Sequence, residues 1–171
     1  MSVKLLVMGV SGCGKTTATR ALAAALDCAA VEGDDYHLPS SQDKMDRGVP
    51  LTDADRIPWL DALGALLNDA DGRLVMSCSA LKRTYRDRLR AADPTLRFVY
   101  VHIDIDEARR RVASRASHFF PASLVDSQFA ALESPEGELG VLRVEAAEPV
   151  AAQCEAVLRW LAIPPCSSAP S

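Results

Sequence analysis

A run of small residues that ends in a lysine and a threonine lies near the start of the chain. Residues 9–16 match the pattern G-x-x-x-x-G-K-[ST], between an apolar run and an alanine-rich stretch of helical period. Small residues allow successive backbone N–H groups to curl around phosphate oxygens, and the following helix adds unpaired donors and the positive end of its dipole. Lys15 can reach the β- and γ-phosphates, and the Thr16 hydroxyl can ligate a bridging Mg²⁺. The pattern predicts a site for a nucleoside triphosphate.

Length and composition predict one domain with small-molecule partners. The chain has 171 residues, of which 49% are apolar and 25% charged, and its net charge is -4. This balance gives no electrostatic reason to expect nucleic-acid or membrane binding. The five cysteines are odd in number and form no C-x-x-C pair, so we expect neither a disulfide framework nor a zinc site. A reducing cytoplasm fits this pattern best.

Short apolar runs alternate with longer segments of helical period, which predicts an α/β fold with five parallel strands wrapped by helices on both faces. We expect a single domain over residues 1–163, followed by a frayed tail at 164–171 whose composition cannot pack a core. The predicted strands, each nearly continuous in apolar residues as if covered on both faces, are 3–8, 29–32, 74–77, 96–103 and 141–144. The predicted helices are 15–26, 41–47, 53–69, 81–91, 106–115, 122–132 and 150–161, with Thr52 and Asp55 forming a capping box.

Polar residues follow several of these strands, at the edge of the sheet where ligands of such folds bind. Asp34 comes directly after the second strand. Its carboxylate can accept the proton of an acceptor hydroxyl or hold a Mg²⁺-bound water, whereas Asp35 is typical of a turn. A switch GTPase would need an Asn-Lys-x-Asp motif, but Asn68 is the only asparagine and is followed by Asp69. Transfer of a phosphoryl group to a small acceptor is the class that remains.

Several stretches together resemble the gluconate kinase (gluconokinase) family, small phosphate-loop kinases related to shikimate and nucleoside monophosphate kinases. The resemblance covers nearly everything through Leu161. The matching stretches are residues 9–17; Gly33, Asp34 and His37; 44–45, 48–53 and 55–60; 78–83 with Tyr85 and Arg86; and 118–120 with Gln128 and Phe129.

This resemblance implies phosphorylation of the 6-hydroxyl of D-gluconate by ATP with Mg²⁺, giving 6-phospho-D-gluconate and ADP. A carboxylate and five hydroxyls call for an arginine or lysine and for several polar partners. The predicted gluconate-binding residues are Asp34, His37, Lys44, Arg56, Ser79, Lys82 and Arg83, with Arg56 as the carboxylate clamp. Trp59 is interpreted as a core residue.

The family places a short lid over ATP, here at about residues 114–121. Arg111 and Arg115 are four residues apart, so on one helix they would share a face and point together at the phosphates. The alternative is a basic helix face paired with Asp104, Asp106 and Glu107. The predicted ATP-binding residues are Gly9, Val10, Ser11, Gly12, Cys13, Gly14, Lys15, Thr16, Thr17, Arg111 and Arg115; the predicted catalytic residues are Lys15, Asp34 and Arg115; and Thr16 is the predicted Mg²⁺ ligand.

Two other functions remain open from the residues. One is a kinase for another small acid or for a nucleoside monophosphate, and the other is a regulatory protein that binds ATP without transferring it; the carboxylate of Asp34 argues against the second. A homodimer is a further expectation from the family. Cys13 lies at a helix N-terminus, where a thiolate is favoured, and we hypothesise that its alkylation or oxidation inactivates the protein and that ATP protects it; the alternative is an inert small side chain.

Overall fold

The first strand of the chain is apolar at every position but one, and its side chains alternate between two buried faces. β1 comprises Val3–Met8. Val3, Leu5 and Val7 belong to one core, whereas Leu6 and Met8 belong to the other. Because successive side chains of a strand point to opposite faces, this pattern requires a layer of helices on each side of the sheet.

A computed structural model describes residues 1–115 and 122–163 of the chain. Within these residues five parallel strands form one sheet in the order β2-β3-β1-β4-β5. Leu5 of β1, for example, aligns with Val75 of β3 on one side and with Arg97 of β4 on the other. The strands that follow β1 are Ala29–Glu32 (β2), Arg73–Ser77 (β3), Arg97–His102 (β4) and Val141–Glu145 (β5).

Seven α-helices lie within the described residues and cover both faces of this sheet. α1 and α7 pack on the face that holds Val157, and α3 and α4 pack on the face that holds Trp59. The helices are Lys15–Leu26 (α1), Pro39–Asp46 (α2), Asp53–Asp69 (α3), Arg83–Ala92 (α4), Ile105–Ser114 (α5), Ala122–Ala131 (α6) and Val150–Trp160 (α7). The predicted α/β class is confirmed.

Element boundaries agree with the prediction to within two residues, and the capping box is present. Thr52 accepts a hydrogen bond from the N–H of Asp55, whose carboxylate accepts one from the N–H of Thr52. One turn of 3₁₀ helix at Gly33–Tyr36 was not predicted. Burial of β2 on both faces was wrong, because β2 is an edge strand and its first two residues, Ala29 and Ala30, are exposed.

The order of the sheet determines where a ligand can bind. β1 lies between β3 and β4. The chain adds β2 and β3 on one side of β1 and then crosses to add β4 and β5 on the other side. Crevices of this kind open beyond the carboxyl ends of the strands. Residues after β1, β2 and β3 therefore meet at one edge. Most of the predicted lid, residues 116–121, and the predicted tail lie outside the described residues.

No helix in the described part of the chain is both long and apolar enough to cross a membrane.

Candidate active site

Three glycines shape the loop that joins β1 to α1. Gly9, Gly12 and Gly14 have φ values of 148°, 86° and 93°. A Cβ on Gly9 would lie 2.8 Å from the Val101 carbonyl oxygen and 2.8 Å from Cys13 Sγ, so no side chain fits there. Gly14 is the N-cap residue of α1 and has no side chain to cap the helix. The first N–H groups of α1 are therefore available to an anion.

The lysine and threonine of this loop are both held by neighbouring oxygens. Lys15 Nζ donates to the Val10 carbonyl oxygen at 3.1 Å. The Thr16 hydroxyl donates to Glu32 Oε2 at 2.8 Å, and the Ser77 hydroxyl donates to the other oxygen of the same carboxylate. Glu32 thus ties the start of α1 to the ends of β2 and β3.

A cleft opens above the loop and carries two carboxylates beside the predicted phosphate position. This cleft, which we call the phosphate cleft, is lined by Ser11, Gly12, Gly14, Lys15, Thr16, Thr17, Glu32, Asp34 and Arg115. A polyphosphate next to two carboxylates needs a cation between them, and hydroxyl and carboxylate oxygens are the donors that Mg²⁺ prefers. Within the described residues no group of three or more His, Cys, Asp or Glu side chains could hold a metal by itself. This arrangement suits an ion that takes most of its ligands from substrate and water.

Asp34 projects from the 3₁₀ turn into this cleft. Its side chain is 62% exposed, and Oδ1 lies 3.7 Å from His37 Nε2. Partial loss of hydration inside the cleft acts to raise the pKa of Asp34, but interaction with His37 and the positive charges of Lys15 and Arg56 outweigh it, so the pKa lies below its ordinary value. Asp34 is therefore a carboxylate at neutral pH and can accept a hydrogen bond from an alcohol.

The turn that carries Asp34 is fixed by an aromatic pair. The His37 ring stacks on Trp59 with centroids 4.0 Å apart and planes 20° from parallel. Trp59 is buried, as predicted, and its indole N–H donates to the Gly33 carbonyl oxygen at 2.7 Å. A Cβ on Gly33 would lie 2.2 Å from the Ser77 carbonyl oxygen, so only glycine allows this approach.

A second cleft adjoins the first and has the mixed lining that a polar small molecule needs. It holds about 600 Å³ of empty space, including a part that is open to solvent. Its lining consists of Ser11, Lys15, Asp34, His37, Met45, Val49, Pro50, Leu51, Arg56, Ser79, Leu124, Ser127 and Gln128. Ser11, Lys15 and Asp34 line both clefts. A phosphoryl donor in one cleft and an acceptor in the other would therefore meet at Lys15 and Asp34.

Arg56 supplies positive charge to this second cleft, which we call the acceptor cleft. Its guanidinium lies 5.6 Å from the centroid of the Tyr85 ring, and the Tyr85 hydroxyl donates to Asp53. In the described part of the chain Arg56 forms no ion pair, so its charge is available to an anionic ligand. Ser79 also lines the cleft, and its carbonyl oxygen accepts the N–H of Gly9 at 3.3 Å.

Three of the predicted gluconate-binding residues lie outside the lining of the acceptor cleft. Lys44 pairs with Asp55 at 2.8 Å, and Lys82 pairs with Asp53 at 2.8 Å. Arg83 is exposed and approaches Asp87 at 3.7 Å. These pairs brace the elements around the cleft, and direct contact of the three side chains with a substrate stays a prediction.

The arginine cluster does not form the single face that the spacing suggested. α5 ends at Ser114 and Arg115 has an extended backbone, so Arg111 and Arg115 do not share a helix face. Arg115 lines the phosphate cleft.

Arg111 pairs with Glu107 at 2.8 Å and donates to the carbonyl oxygens of Gly12 at 3.4 Å and Ala146 at 3.2 Å. Arg111 therefore braces the phosphate loop through the Gly12 carbonyl oxygen.

The other two arginines of α5 follow the alternative of a paired basic face. Arg109 pairs with Asp106 at 3.2 Å and with Asp126 at 2.7 Å, and Arg110 pairs with Glu107 at 2.6 Å.

Cys13 is packed inside the fold. It is 2% exposed and belongs to the core on the α1 side of the sheet. The hypothesis of a reactive thiol requires access that this position lacks, so the structure contradicts it. The described cysteines, which are Cys13, Cys28, Cys78 and Cys154, are free thiols.

Sequence reasoning missed Glu32 and assigned no role to Gln128. Glu32 ends β2, and a carboxylate at the end of a strand beside a phosphate loop is itself a sequence signal. Gln128 Oε1 accepts the N–H of Ser11 at 2.7 Å, across 117 residues of sequence. Its place within a matched stretch was the only sequence signal for it.

The sheet order, the glycine loop and the paired clefts define a phosphate-loop protein of the small kinase type. A family model described as an AAA domain matches residues 5–135. A solved shikimate kinase from Bacteroides thetaiotaomicron superposes with a TM-score of 0.68 over 94% of this chain and 99% of that one. At 16% identity, this likeness shows a common fold alone.

Nearer relatives define the family. A gluconokinase from Gluconobacter oxydans (strain 621H) is 46% identical over 143 residues, which cover 82% of this chain and 80% of that protein. The crystal structure of a gluconokinase from Sinorhizobium meliloti 1021 is 43% identical, with a TM-score of 0.86 over 94% of this chain and 93% of that one. The chain belongs to the gluconokinase family, and the resemblance inferred from its motifs is confirmed.

Proposed function

We propose that this protein transfers the γ-phosphoryl group of ATP to the 6-hydroxyl of D-gluconate, giving 6-phospho-D-gluconate and ADP. One observation carries the proposal: a phosphate cleft and an acceptor cleft meet at Lys15 and Asp34. Phosphoryl transfer needs positioning and neutralisation of charge more than covalent chemistry, and these two residues supply both.

Asp34 orients the acceptor. Its lowered pKa keeps it ionised, so it accepts a hydrogen bond from the attacking hydroxyl and receives the proton as the new phosphate ester forms. Lys15 leaves its bond to the Val10 carbonyl oxygen and binds the phosphate oxygens, where its charge stabilises the transferred group.

Thr16, with Asp34 through a water molecule, would hold Mg²⁺, and Glu32 would orient the Thr16 hydroxyl. When bound, the ion supplies positive charge that offsets the phosphates. The Thr16 hydroxyl donates its hydrogen bond to Glu32. The lone pairs of the hydroxyl oxygen therefore remain free to bind a metal ion.

Gluconate fits the acceptor cleft by charge and by hydrogen bonding. Arg56, which lines the cleft and forms no ion pair within the described residues, pairs with the carboxylate of gluconate, and Asp34 receives the 6-hydroxyl. His37 and Ser79 also line the cleft and offer polar contacts to the polyol. We further propose that the enzyme works in the cytoplasm and forms a homodimer, as its family membership and lack of a disulfide pattern suggest.

The test is ADP release from MgATP with a panel of acceptors at equal concentration. We expect turnover with D-gluconate, at least about tenfold less with D-sorbitol, which lacks the carboxylate, and background rates with shikimate and AMP. Phosphorus NMR of the product should place the phosphate at carbon 6. Preferred turnover of shikimate or AMP would show a different small-molecule kinase, and ATP binding without turnover of any acceptor would show a regulatory protein.

A further inference from the structure

A side-chain amide from α6 is bonded to the phosphate loop. Gln128 Oε1 accepts the N–H of Ser11 at 2.7 Å. Both residues line the acceptor cleft, and Ser11 also lines the phosphate cleft. This side-chain hydrogen bond therefore connects α6, in the wall of the acceptor cleft, to the loop that receives the nucleotide.

The helix that carries Gln128 is anchored on two sides. Leu124 and Val125 are 6% and 0% exposed, which fixes α6 on the core. Asp126 pairs with Arg109 of α5 at 2.7 Å on the opposite side of the helix from the cleft. Since its backbone is held in this way, Gln128 reaches Ser11 without the helix having to move.

The chemistry of the bond fixes the orientation of the amide. A backbone N–H can only donate, so the atom of Gln128 that faces Ser11 must be the carbonyl oxygen. The Nε2 group, with two donors, is then the other polar end of the side chain at the cleft wall. In the described part of the chain the bond to Ser11 is the only hydrogen bond of the Gln128 side chain. Two N–H donors thus remain for a ligand.

We propose that Gln128 is a positioning residue that binds the polyol of the acceptor through Nε2 while Oε1 holds the Ser11 N–H of the phosphate loop. The inference rests on the proposed function, because the acceptor must carry hydroxyl oxygens next to the loop. Hydrogen bonds that share an amide polarise each other, so acceptor binding strengthens the bond to Ser11. Gln128 therefore couples the position of gluconate to the position of the phosphate loop.

The experiment compares steady-state kinetics of the unsubstituted enzyme with Gln128→Met and Gln128→Glu. Met keeps the length of the side chain and removes both functions of the amide. Glu keeps an oxygen for Ser11 and removes the two donors. Asp126→Ala is the matched control, because it loosens α6 from α5 and leaves the amide intact. Thermal unfolding of each variant is measured in parallel.

We expect both Gln128 variants to raise the KM for gluconate about fivefold to tenfold, the range for loss of a neutral hydrogen bond. The KM for MgATP should change less than about threefold in Gln128→Glu, and Asp126→Ala should leave the KM for gluconate within twofold. In calorimetry, a non-hydrolysable ATP analogue should tighten gluconate binding to the unsubstituted enzyme more than to Gln128→Met.

A KM for gluconate within twofold of normal in folded Gln128→Glu would overturn the inference. Equal increases in both KM values, or an Asp126→Ala variant that behaves like Gln128→Met, would show a purely structural role and overturn it as well. If the unsubstituted enzyme does not phosphorylate gluconate, the proposed function fails and the inference fails with it. The activity of the unsubstituted enzyme therefore separates failure of the proposed function from failure of the role of Gln128.

Discussion

The Thr16 hydroxyl donates a hydrogen bond of 2.8 Å to the Glu32 carboxylate, which joins the first turn of α1 to the end of β2. Ser77, at the end of β3, donates to the second oxygen of the same carboxylate. Three elements of the fold thus converge on one acidic side chain beside the phosphate cleft. We infer that Glu32 orients the predicted Mg²⁺ ligand and adds negative charge next to it.

Glu32→Gln should therefore weaken the use of Mg²⁺ while the fold is retained. Removing a supporting group of a metal ligand typically costs 10-fold to 100-fold in affinity or activity, and we expect a loss of about that size in kcat. The Mg²⁺ concentration for half-maximal rate should rise in the same variant. Initial rates at a series of Mg²⁺ concentrations with fixed ATP measure both effects.

Glu145→Gln is the matched control, because Glu145 ends β5 in the same way and is bonded to Arg143 and His102 away from either cleft. An unaltered Mg²⁺ dependence in Glu32→Gln would show that Glu32 is only a structural brace.

Asp34→Ala should bind MgATP almost as well as the unsubstituted enzyme and turn over at least about a hundredfold more slowly, a typical loss for a general base. The neighbouring residue Asp35 lies outside the lining of both clefts, so Asp35→Ala should keep normal turnover. Calorimetry with a nucleotide analogue and assays of ADP release measure the two quantities. Near-normal turnover in Asp34→Ala would assign the acceptor to another group.

The structure also gives the sign of the pH dependence. Partial loss of hydration raises the pKa of Asp34, but His37, Lys15 and Arg56 lower it by more, so its ionised form persists below the ordinary aspartate pKa of about 4. The acid limb of kcat/KM that depends on Asp34 should therefore lie below about pH 4, with no loss through Asp34 as pH rises. An acid limb near pH 6 would mean that a different group controls the rate.

Arg56 lines the acceptor cleft, and its charge predicts a role in binding the carboxylate of gluconate. Replacing a charged partner of a carboxylate typically costs 1.5–3 kcal/mol, so Arg56→Met should raise the KM for gluconate about 10-fold to 100-fold. The KM for MgATP should change little. Arg47→Met is the control, because Arg47 is exposed and pairs with Asp43 outside the cleft. If both variants shift the KM for gluconate equally, Arg56 acts only through the surface charge.

The sequence was sufficient for the fold where the pattern of side chains is local. Two examples are present in the structure: the alternation of Leu5, Leu6 and Val7 between two cores, and the capping box of Thr52. Prediction from the sequence failed where the burial of a strand depends on which other strands lie beside it. β2 is apolar like a central strand, yet the strand order places it at the edge, and no residue of β2 itself records that order.

The same limit applies to the site. The phosphate loop is continuous in sequence, so its motif predicts it directly. The role of Asp34 was predicted because ligands of such folds bind beyond the carboxyl ends of the strands. Bonds between distant segments were not recoverable. The bond of Ser11 to Gln128 spans 117 residues. The pairing of Lys44 with Asp55 joins two different helices, and the sequence alone does not predict it.

Arg86 offers a test of stability rather than activity. It is fully buried and donates to the carbonyl oxygens of Ala80 and Leu81 and to the Glu138 carboxylate. Breaking a buried pair leaves its partner buried without its main counter-charge, so Arg86→Leu should lower the free energy of unfolding by about 3–5 kcal/mol. Arg88→Leu, on the same helix, breaks only an exposed pair with Asp61 and should lower the free energy of unfolding much less than Arg86→Leu does. Urea unfolding measures both, and equal losses would contradict this account.

The pair of Lys44 and Asp55 predicts how stability responds to acid. The hydrogen bond from Lys44, followed by the bonds from Thr52, lowers the pKa of Asp55 from its ordinary 3.8 to about 2. A group whose pKa is lower in the folded state stabilises the fold above its unfolded pKa, and this contribution is lost as pH falls from about 4 toward 2. Asp55→Asn should therefore reduce the drop in Tm between pH 4 and pH 2, and Lys44→Met should reduce it in the same direction. The double variant should add little to Asp55→Asn, because the two side chains share one interaction. Additive effects in this cycle would show that Lys44 does not set the acid response of Asp55.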